Sequence, residues 1–179
     1  AVVTRRAMAG EIDFETSLRR RVRLFAGRTV DLLETAAAGI RPVPGGRTLV
    51  ATMRRDGAVT ALVSGGFTLF VDRVRTAIGF DLGFGNRLAW DGDRLTGEVA
   101  DLAITAEGKC ATMLRLVADH GLTAADALAI GDGANDLAML AAAGLGIGFR
   151  PKPIVAAAVA NRIRHGDLTA ALYLQGYRR

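Results

Sequence analysis

The residues with the clearest potential for chemistry form one short run, Gly131-Asp132-Gly133-Ala134-Asn135-Asp136. Asp132 is the first residue after an apolar segment, and Asp136 follows where a helix is predicted to begin. Two carboxylates at this spacing can converge on one point, and carboxylate oxygens are the ligands that Mg²⁺ prefers. The run therefore predicts a magnesium site. The alternative, a turn followed by a helix-start charge, needs fewer polar residues and glycines than the run contains.

A second run, Ser64-Gly65-Gly66, follows the apolar segment Val59–Val63 and precedes a helix predicted from Phe67. A hydroxyl and free backbone N–H groups at a helix N-terminus form an anion site, particularly for phosphate. Many strand–helix turns look alike, so this run gains its meaning from the carboxylate-bearing strand end predicted for the same sheet. Together, the two runs predict a site for a metal ion and a phosphate group.

Lysine is rare in this chain, because only Lys109 and Lys152 among its 23 basic residues are lysines. Their retention suggests positions that need a compact ammonium instead of a guanidinium fork. Lys109 opens a predicted helix, where a cation opposes the helix dipole. Neutralisation of phosphate charge would explain this lysine, and a plain surface lysine is the alternative.

Length and composition restrict the class of protein. A chain of 179 residues and 18.8 kDa fits one domain, or one domain with a small appendage. Its apolar half and mean hydropathy of +0.26 argue against disorder. The lone Cys110 suits a reducing compartment, and neither a secretory signal nor an uninterrupted membrane-length apolar stretch is visible. We expect a cytoplasmic protein without a membrane partner.

The basic charge raises the question of nucleic acid, since the net charge is +5 and the pI is 10.3. The arginines are scattered, however, and the densest cluster, Arg19–Arg23, lies in a predicted helix. Aromatic residues, on which bases would stack, make up only 6% of the chain. We therefore expect no nucleic-acid partner.

The elements that must position these residues follow from periodicity and glycine breaks. Residues 1–40 are predicted to be helical, and the segment Pro42-Val43-Pro44-Gly45-Gly46 is the best boundary. After it, short apolar strands alternate with helices, and one hairpin turns at Asp91-Gly92-Asp93. This order predicts an α/β fold, a Rossmann-like parallel sheet with helices on both faces. Such sheets bind ligands at the carboxyl ends of their strands, where both glycine-rich runs fall.

These residues, in this order, resemble the haloacid dehalogenase-like (HAD) phosphohydrolases, and within them the phosphoserine phosphatases. The likeness extends over essentially the whole chain. The stretch around Asp132 is common to the superfamily. The helical segment leading to Arg21 narrows the resemblance to the phosphoserine phosphatases. The matching segments are Ala7–Gly10, Asp13–Glu15, Ser17–Arg21, Val63–Phe67, Asn86–Leu88, Leu95–Gly97, Lys109, Gly131–Asp136 and Lys152-Pro153.

The resemblance implies roles for the residues of the two runs. Asp132 would be a Mg²⁺ ligand, and Asp136 would orient water bound to the metal. Ser64, the Gly65 backbone and Lys109 would hold the phosphate, with Lys109 as the catalytic cation.

Further residues would recognise the rest of the substrate. Asn135 would contact it beside the metal, and Arg21 would grip its carboxylate bidentately, as a guanidinium can. Met8 and Phe14 would line the pocket on the side of a helical cap. For Arg21, the alternative is a solvated helix face among neighbouring arginines.

The implied activity is Mg²⁺-dependent hydrolysis of O-phospho-L-serine to L-serine and phosphate, a step of serine biosynthesis. Residues 1–41 would form part of the helical cap, and residues 42–179 a HAD-like α/β core without its first strand. The sequence leaves open whether the protein forms a homodimer. The alternatives are a phosphatase for another small phosphorylated metabolite and a non-catalytic protein that binds a phosphate ligand.

One departure from the family concerns the nucleophile. The family uses Asp-x-Asp-x-Thr, whose first Asp attacks phosphorus and whose second acts as general acid and base. Here the only Asp-x-Asp is Asp91-Gly92-Asp93, which we interpret as a hairpin turn. The strand carrying the motif would lie between the strands that end at Ser64 and Asp132. Its burial would contribute on the order of 10 kcal/mol, against a typical total stability of ~5–15 kcal/mol.

We therefore expect the 179 residues to be a fragment of a longer active enzyme, and to be inactive alone. A real truncation and an inactive relative that keeps the binding half are the alternatives.

Overall fold

The chain alternates helices and strands in a computed structural model that describes residues 13–102 and 104–178. The helices are α1 (Phe14–Arg23), α2 (Val30–Ala38), α3 (Gly46–Arg55), α4 (Thr68–Ile78), α5 (Ala106–Asp119), α6 (Leu137–Ala142), α7 (Pro153–Ala158) and α8 (Ala170–Leu174). The strands are β1 (Ala61–Phe67), β2 (Leu82–Asp91), β3 (Arg94–Asp101), β4 (Leu128–Gly131), β5 (Leu145–Phe149) and β6 (Asn161–Ile163). Across the described ranges, every helix is too short or too polar to traverse a bilayer.

The strands form two three-stranded sheets, in the orders β1-β2-β3 and β4-β5-β6. All neighbouring strands are parallel except β2 and β3, which form the predicted antiparallel hairpin with Asp91 opposite Arg94. The predicted α/β class with parallel strands is confirmed. No ladder joins β1 to β4 in the described part of the chain, and the family resemblance places the absent strand between these two.

A cavity of about 680 Å³ separates the two sheets where a continuous sheet would have joined them. Residues of β1 and β4 line it, so these outermost strands flank the same space. Apolar side chains of α3, α5 and α6 complete the wall, among them Leu49, Met113 and Met139. The space between the two sheets is therefore lined mostly by apolar side chains.

The first sheet packs against the helices that precede Pro42. Asp13 begins α1, since its carboxylate accepts hydrogen bonds from the backbone and hydroxyl of Thr16 at 2.8 and 2.7 Å. These bonds, led by the hydroxyl, hold the pKa of Asp13 below its ordinary value. One buried cluster unites α1 and α2 with the hairpin: Leu18, Val22, Leu33, Leu88, Leu95 and Val99. The hairpin therefore fixes the position of α1.

The second sheet lies between two buried clusters, which accounts for its nearly continuous apolar strands. One contains Ile147 and Ile163 with Leu49 of α3 and Leu172 of α8. The other comprises Met113, Ala129, Met139, Leu140 and Val155. Helices therefore cover both faces, as predicted, and β4 presents its carboxyl end to the loop that carries Asp132.

Candidate active site

The loop after β4 is closed by Asp136. Its Oδ2 accepts hydrogen bonds from the backbone N–H groups of Asp132 at 3.0 Å and Gly133 at 3.1 Å. The residue is only 3% exposed and lies at the end of a short 3₁₀ turn before α6. Asp136 therefore shapes the backbone around Asp132, and this oxygen is already satisfied by the protein.

Lys109 occupies the other oxygen of Asp136, with Nζ 2.5 Å from Oδ1. Lys109 lies in the first turn of α5, a helix that Thr105 caps by accepting a hydrogen bond from the Gly108 N–H. At 9% exposure it is not a plain surface lysine. In the described ranges Asp136 is the only hydrogen-bond partner of the Lys109 ammonium, so two of its three donors remain for a ligand.

Asp132 differs from Asp136 in being open to solvent. Its side chain is 62% exposed, and the nearest cation is Lys152, with Nζ 3.6 Å from Oδ2. The backbone N–H of Lys152 donates to the Asp132 carbonyl at 2.9 Å. Both lysines of the chain therefore pair with the two aspartates of this loop, and Asp132 alone has an accessible carboxylate.

The donor set around Asp132 fits a magnesium ion that is completed by other oxygens. In residues 13–102 and 104–178, no three Asp, Glu, His or Cys side chains gather into a metal cage. Mg²⁺ beside a phosphate commonly uses only one or two carboxylates, with water and phosphate oxygens as its other ligands. The exposed carboxylate of Asp132 meets that requirement, whereas Asp136, with both oxygens engaged, fits an indirect role.

The Ser64 run is held by a buried asparagine. The prediction that the strand ends before Ser64 is wrong, because β1 continues to Phe67 with an irregular register after Val63. The Asn86 amide donates to the carbonyls of Gly65 at 3.1 Å and Ile104 at 3.2 Å. Its oxygen accepts from the Ile104 N–H at 2.9 Å. The run can therefore remain extended, since Asn86 holds its backbone.

Asn86 was found in the sequence only as part of the family resemblance, and its structural role was missed. A carboxamide at the alternate position between Phe84 and Leu88, which share its face of β2, is the signal that could have revealed it. A fully buried amide must find hydrogen-bond partners, and Asn86 is 0% exposed.

The same contacts connect the two runs. Asn86 joins Gly65 to Ile104, and Ile104 directly precedes the Thr105 cap of α5. The first turn of α5 then brings Lys109 onto Asp136. A short series of hydrogen bonds thus links the Ser64 run to the loop of Asp132 through the N-terminus of α5. The Ser64 hydroxyl itself accepts a hydrogen bond from the Gly66 N–H at 3.0 Å.

Helix α1 approaches this region with its Phe14 face. A Cβ built on Gly65 would lie 2.8 Å from Cζ of Phe14, so the ring lies directly against the glycine. Arg21 is two helical turns from Phe14 and therefore on the same face. It is half-buried, and its Nε donates to the Ser17 carbonyl at 3.3 Å, whereas Arg20 is exposed. Arg21 is therefore less exposed to solvent than its neighbour Arg20.

Asn135 and Met8 are the two remaining predicted site residues. Asn135 is half-buried, and its Oδ1 lies over Gly133, 2.6 Å from a Cβ built there. Met8 lies outside the described residues. The structure thus describes all but one of the predicted site residues.

Replacing Gly131 by alanine tests how closely β4 and Asp136 fit. The added Cβ would lie 2.5 Å from Cβ and Cγ of Asp136, which forces the carboxylate to shift. We expect the free energy of unfolding to fall by about 1–3 kcal/mol, measured by urea denaturation. Gly39→Ala is the control, because its nearest neighbour is an ordinary 3.4 Å away. Equal stability of the two variants would contradict the tight fit.

The chain is similar in sequence and fold to known proteins. The haloacid dehalogenase-like hydrolase family matches residues 2–141. A phosphoserine phosphatase of Streptomyces coelicolor is 42% identical over 179 residues, which are all of this chain and 44% of that protein. The crystal structure of a probable phosphoserine phosphatase from Vibrio cholerae superposes with a TM-score of 0.90 at 36% identity, covering 97% of this chain and 54% of that one.

A substrate-bound phosphoserine phosphatase complex gives a TM-score of 0.88 at 34% identity, covering 96% of this chain and 82% of that one. The chain spans about half the length of several curated relatives that it matches. The family match extends over the helices that pack against the first sheet, the Ser64 run and the loop of Asp132. The chain belongs to the haloacid dehalogenase-like hydrolase family.

Proposed function

We propose that the protein is a Mg²⁺-dependent phosphoserine phosphatase that hydrolyses O-phospho-L-serine to L-serine and phosphate. The observation that carries this proposal is the buried Lys109–Asp136 pair beside the exposed carboxylate of Asp132. The likeness to phosphoserine phosphatases over nearly the whole chain supports the choice of substrate.

The phosphate group is held from two sides in this proposal. Ser64 and the Gly65 N–H would donate hydrogen bonds from the irregular segment of β1 after Val63, and the Lys109 ammonium would donate from α5. A cation fixed by a buried carboxylate needs little reorganisation when charge develops on the phosphoryl oxygens. Lys109 is therefore the catalytic cation, and Asp136 keeps its ammonium in place.

Asp132 would hold the magnesium ion. When bound, the metal would neutralise charge on the transferring phosphoryl group. Asp136 contributes indirectly, because its hydrogen bonds to the Asp132 and Gly133 N–H groups fix the loop from which Asp132 projects.

Recognition of the serine part is assigned to α1 and its surroundings. Arg21 would bind the substrate carboxylate through two charge-assisted hydrogen bonds. Phe14 and Met8 would line the pocket, and Asn135 would contact the substrate from the metal side. Residues 1–41 would act as part of a cap over the 42–179 core and exclude water on closure.

The nucleophile is assigned to a strand seated between the two sheets. Asp91 and Asp93 do not serve, because they flank Gly92, at φ +57°, at the tip of the β2–β3 hairpin. The apolar cavity between β1 and β4 has the position that an added central strand would need. Such a strand would deliver a carboxylate to the same edge as Ser64 and Asp132.

Phosphate release from O-phospho-L-serine by the full-length protein with Mg²⁺ tests this function. Asp132→Asn should lower kcat/KM at least about a hundredfold, since the metal's electrostatic contribution is several kcal/mol. The control is Asp119→Asn, an equal charge change in an exposed pair on α5. Faster hydrolysis of a phosphomonoester without a carboxylate, such as phosphoethanolamine, would contradict the assigned substrate.

A further inference from the structure

Lys152 is the second lysine of the chain, and the proposed function leaves it without a role. Its ammonium lies 3.6 Å from Oδ2 of Asp132, and both side chains are more than half exposed. The Lys109–Asp136 pair, by contrast, is buried. In a chain that otherwise uses arginine for its cations, both lysines therefore pair with aspartates of one loop.

The position of Lys152 is built by the turn after β5. Arg150 has φ +44°, a left-handed conformation that is strained for a residue with a side chain. Its N–H donates to the Ile163 carbonyl and its guanidinium to the Gly166 carbonyl, both at 2.8 Å. The next N–H along the turn, that of Lys152, donates to the Asp132 carbonyl at 2.9 Å. These bonds fix the backbone from which the ammonium reaches Asp132.

Stability does not explain the ammonium at this place. An exposed ion pair contributes little to folding, and a cation at the beginning of α7 opposes the dipole of that helix. The separation of 3.6 Å also exceeds a direct N–H···O hydrogen bond, so the contact is electrostatic and the flexible side chain can leave it. The remaining explanation for the Lys152 ammonium is that it acts on the charge of the Asp132 carboxylate.

We propose that Lys152 is a positioning residue that acts as an exchangeable counter-ion of Asp132. Its ammonium stays beside the carboxylate until a divalent cation takes its place, and it thereby lowers the affinity of the phosphate-free enzyme for metal. The inference rests on the proposed function, which makes Asp132 the metal ligand. It gives the effect of Lys152 a definite sign: removing the ammonium strengthens metal binding.

Mg²⁺ titration calorimetry on the full-length protein without phosphate tests this sign. Lys152→Gln should lower the Kd for Mg²⁺ about fivefold, the effect of one unit charge at about 4 Å in water. The gain should shrink as ionic strength rises. Lys152→Arg, which keeps the charge, should stay within about twofold of wild type. Arg115→Gln removes one charge from an exposed pair on α5 and should leave the Kd unchanged.

The outcomes separate this inference from the function on which it rests. If the wild type binds Mg²⁺ and Asp132→Asn abolishes binding, an unchanged or weakened affinity of Lys152→Gln overturns only the role of Lys152. Weakened binding is the result that a purely structural lysine would give. If the folded wild type binds no Mg²⁺, or Asp132→Asn binds it equally well, both proposals fail.

Discussion

Replacing Lys109 by methionine should lower the free energy of unfolding by about 3–5 kcal/mol. The substitution keeps much of the volume of the side chain but leaves the Asp136 carboxylate, 3% exposed, without its cation. A buried charge without a partner carries the full penalty of desolvation, whereas the intact pair contributes much less on balance. Urea denaturation at neutral pH, followed by circular dichroism, measures the difference.

Two controls give this result its meaning. The double variant Lys109→Met with Asp136→Asn should recover part of the loss, because it removes both charges together. Lys152→Met removes the exposed ammonium beside Asp132 and should change stability by less than about 1 kcal/mol. A Lys109→Met protein as stable as Lys152→Met would show that Asp136 does not depend on its buried partner.

Replacing Arg21 by alanine should raise KM for O-phospho-L-serine at least about a hundredfold. Two hydrogen bonds between a guanidinium and a substrate carboxylate would be lost, each worth about 1.5–3 kcal/mol when a charged group is involved. The measurement is the steady-state rate of phosphate release with Mg²⁺. Phosphoethanolamine, which lacks the carboxylate, should be hydrolysed by the variant as well as by wild type.

Arg20→Ala is the matched control for that experiment. Arg20 is the adjacent residue of α1 but is exposed, whereas Arg21 lies half-buried on the Phe14 face. Its removal should change KM by less than about twofold. Equal losses on both substrates in Arg21→Ala would assign Arg21 to folding of the helix. No loss on either would mean that another group binds the carboxylate.

Most elements could be predicted because their signals are local. Gly144 and Pro151 bracket β5 (Leu145–Phe149), and Thr29 and Gly39 flank α2 (Val30–Ala38), so the bounds of both elements follow from residues beside them. Strand β6 was missed because it has only three residues and exists through pairing with β5. The gap between the two sheets was expected only from the family resemblance and not from local patterns, because it depends on which strands meet across the molecule.

The candidate site was likewise predictable only as far as local signals reach. Residue types and spacing were enough to select Asp132, Asp136 and Lys109. They did not reveal that Lys109 engages Asp136, because that contact joins positions 27 residues apart through the packing of α5. Asn86 escaped notice for a related reason, since its value lies in three backbone groups of two other segments.

The cavity between the sheets has a consequence for how the protein behaves in solution. β1 and β4 are each the last strand of a sheet, so in the part of the chain that the structure describes their outer backbone groups lack a ladder. Such rows of amides and carbonyls are templates for pairing with any extended chain. Protein in which the space between β1 and β4 is empty should therefore self-associate and bind strand-forming peptides. Protein in which a strand fills that space should remain dispersed in solution.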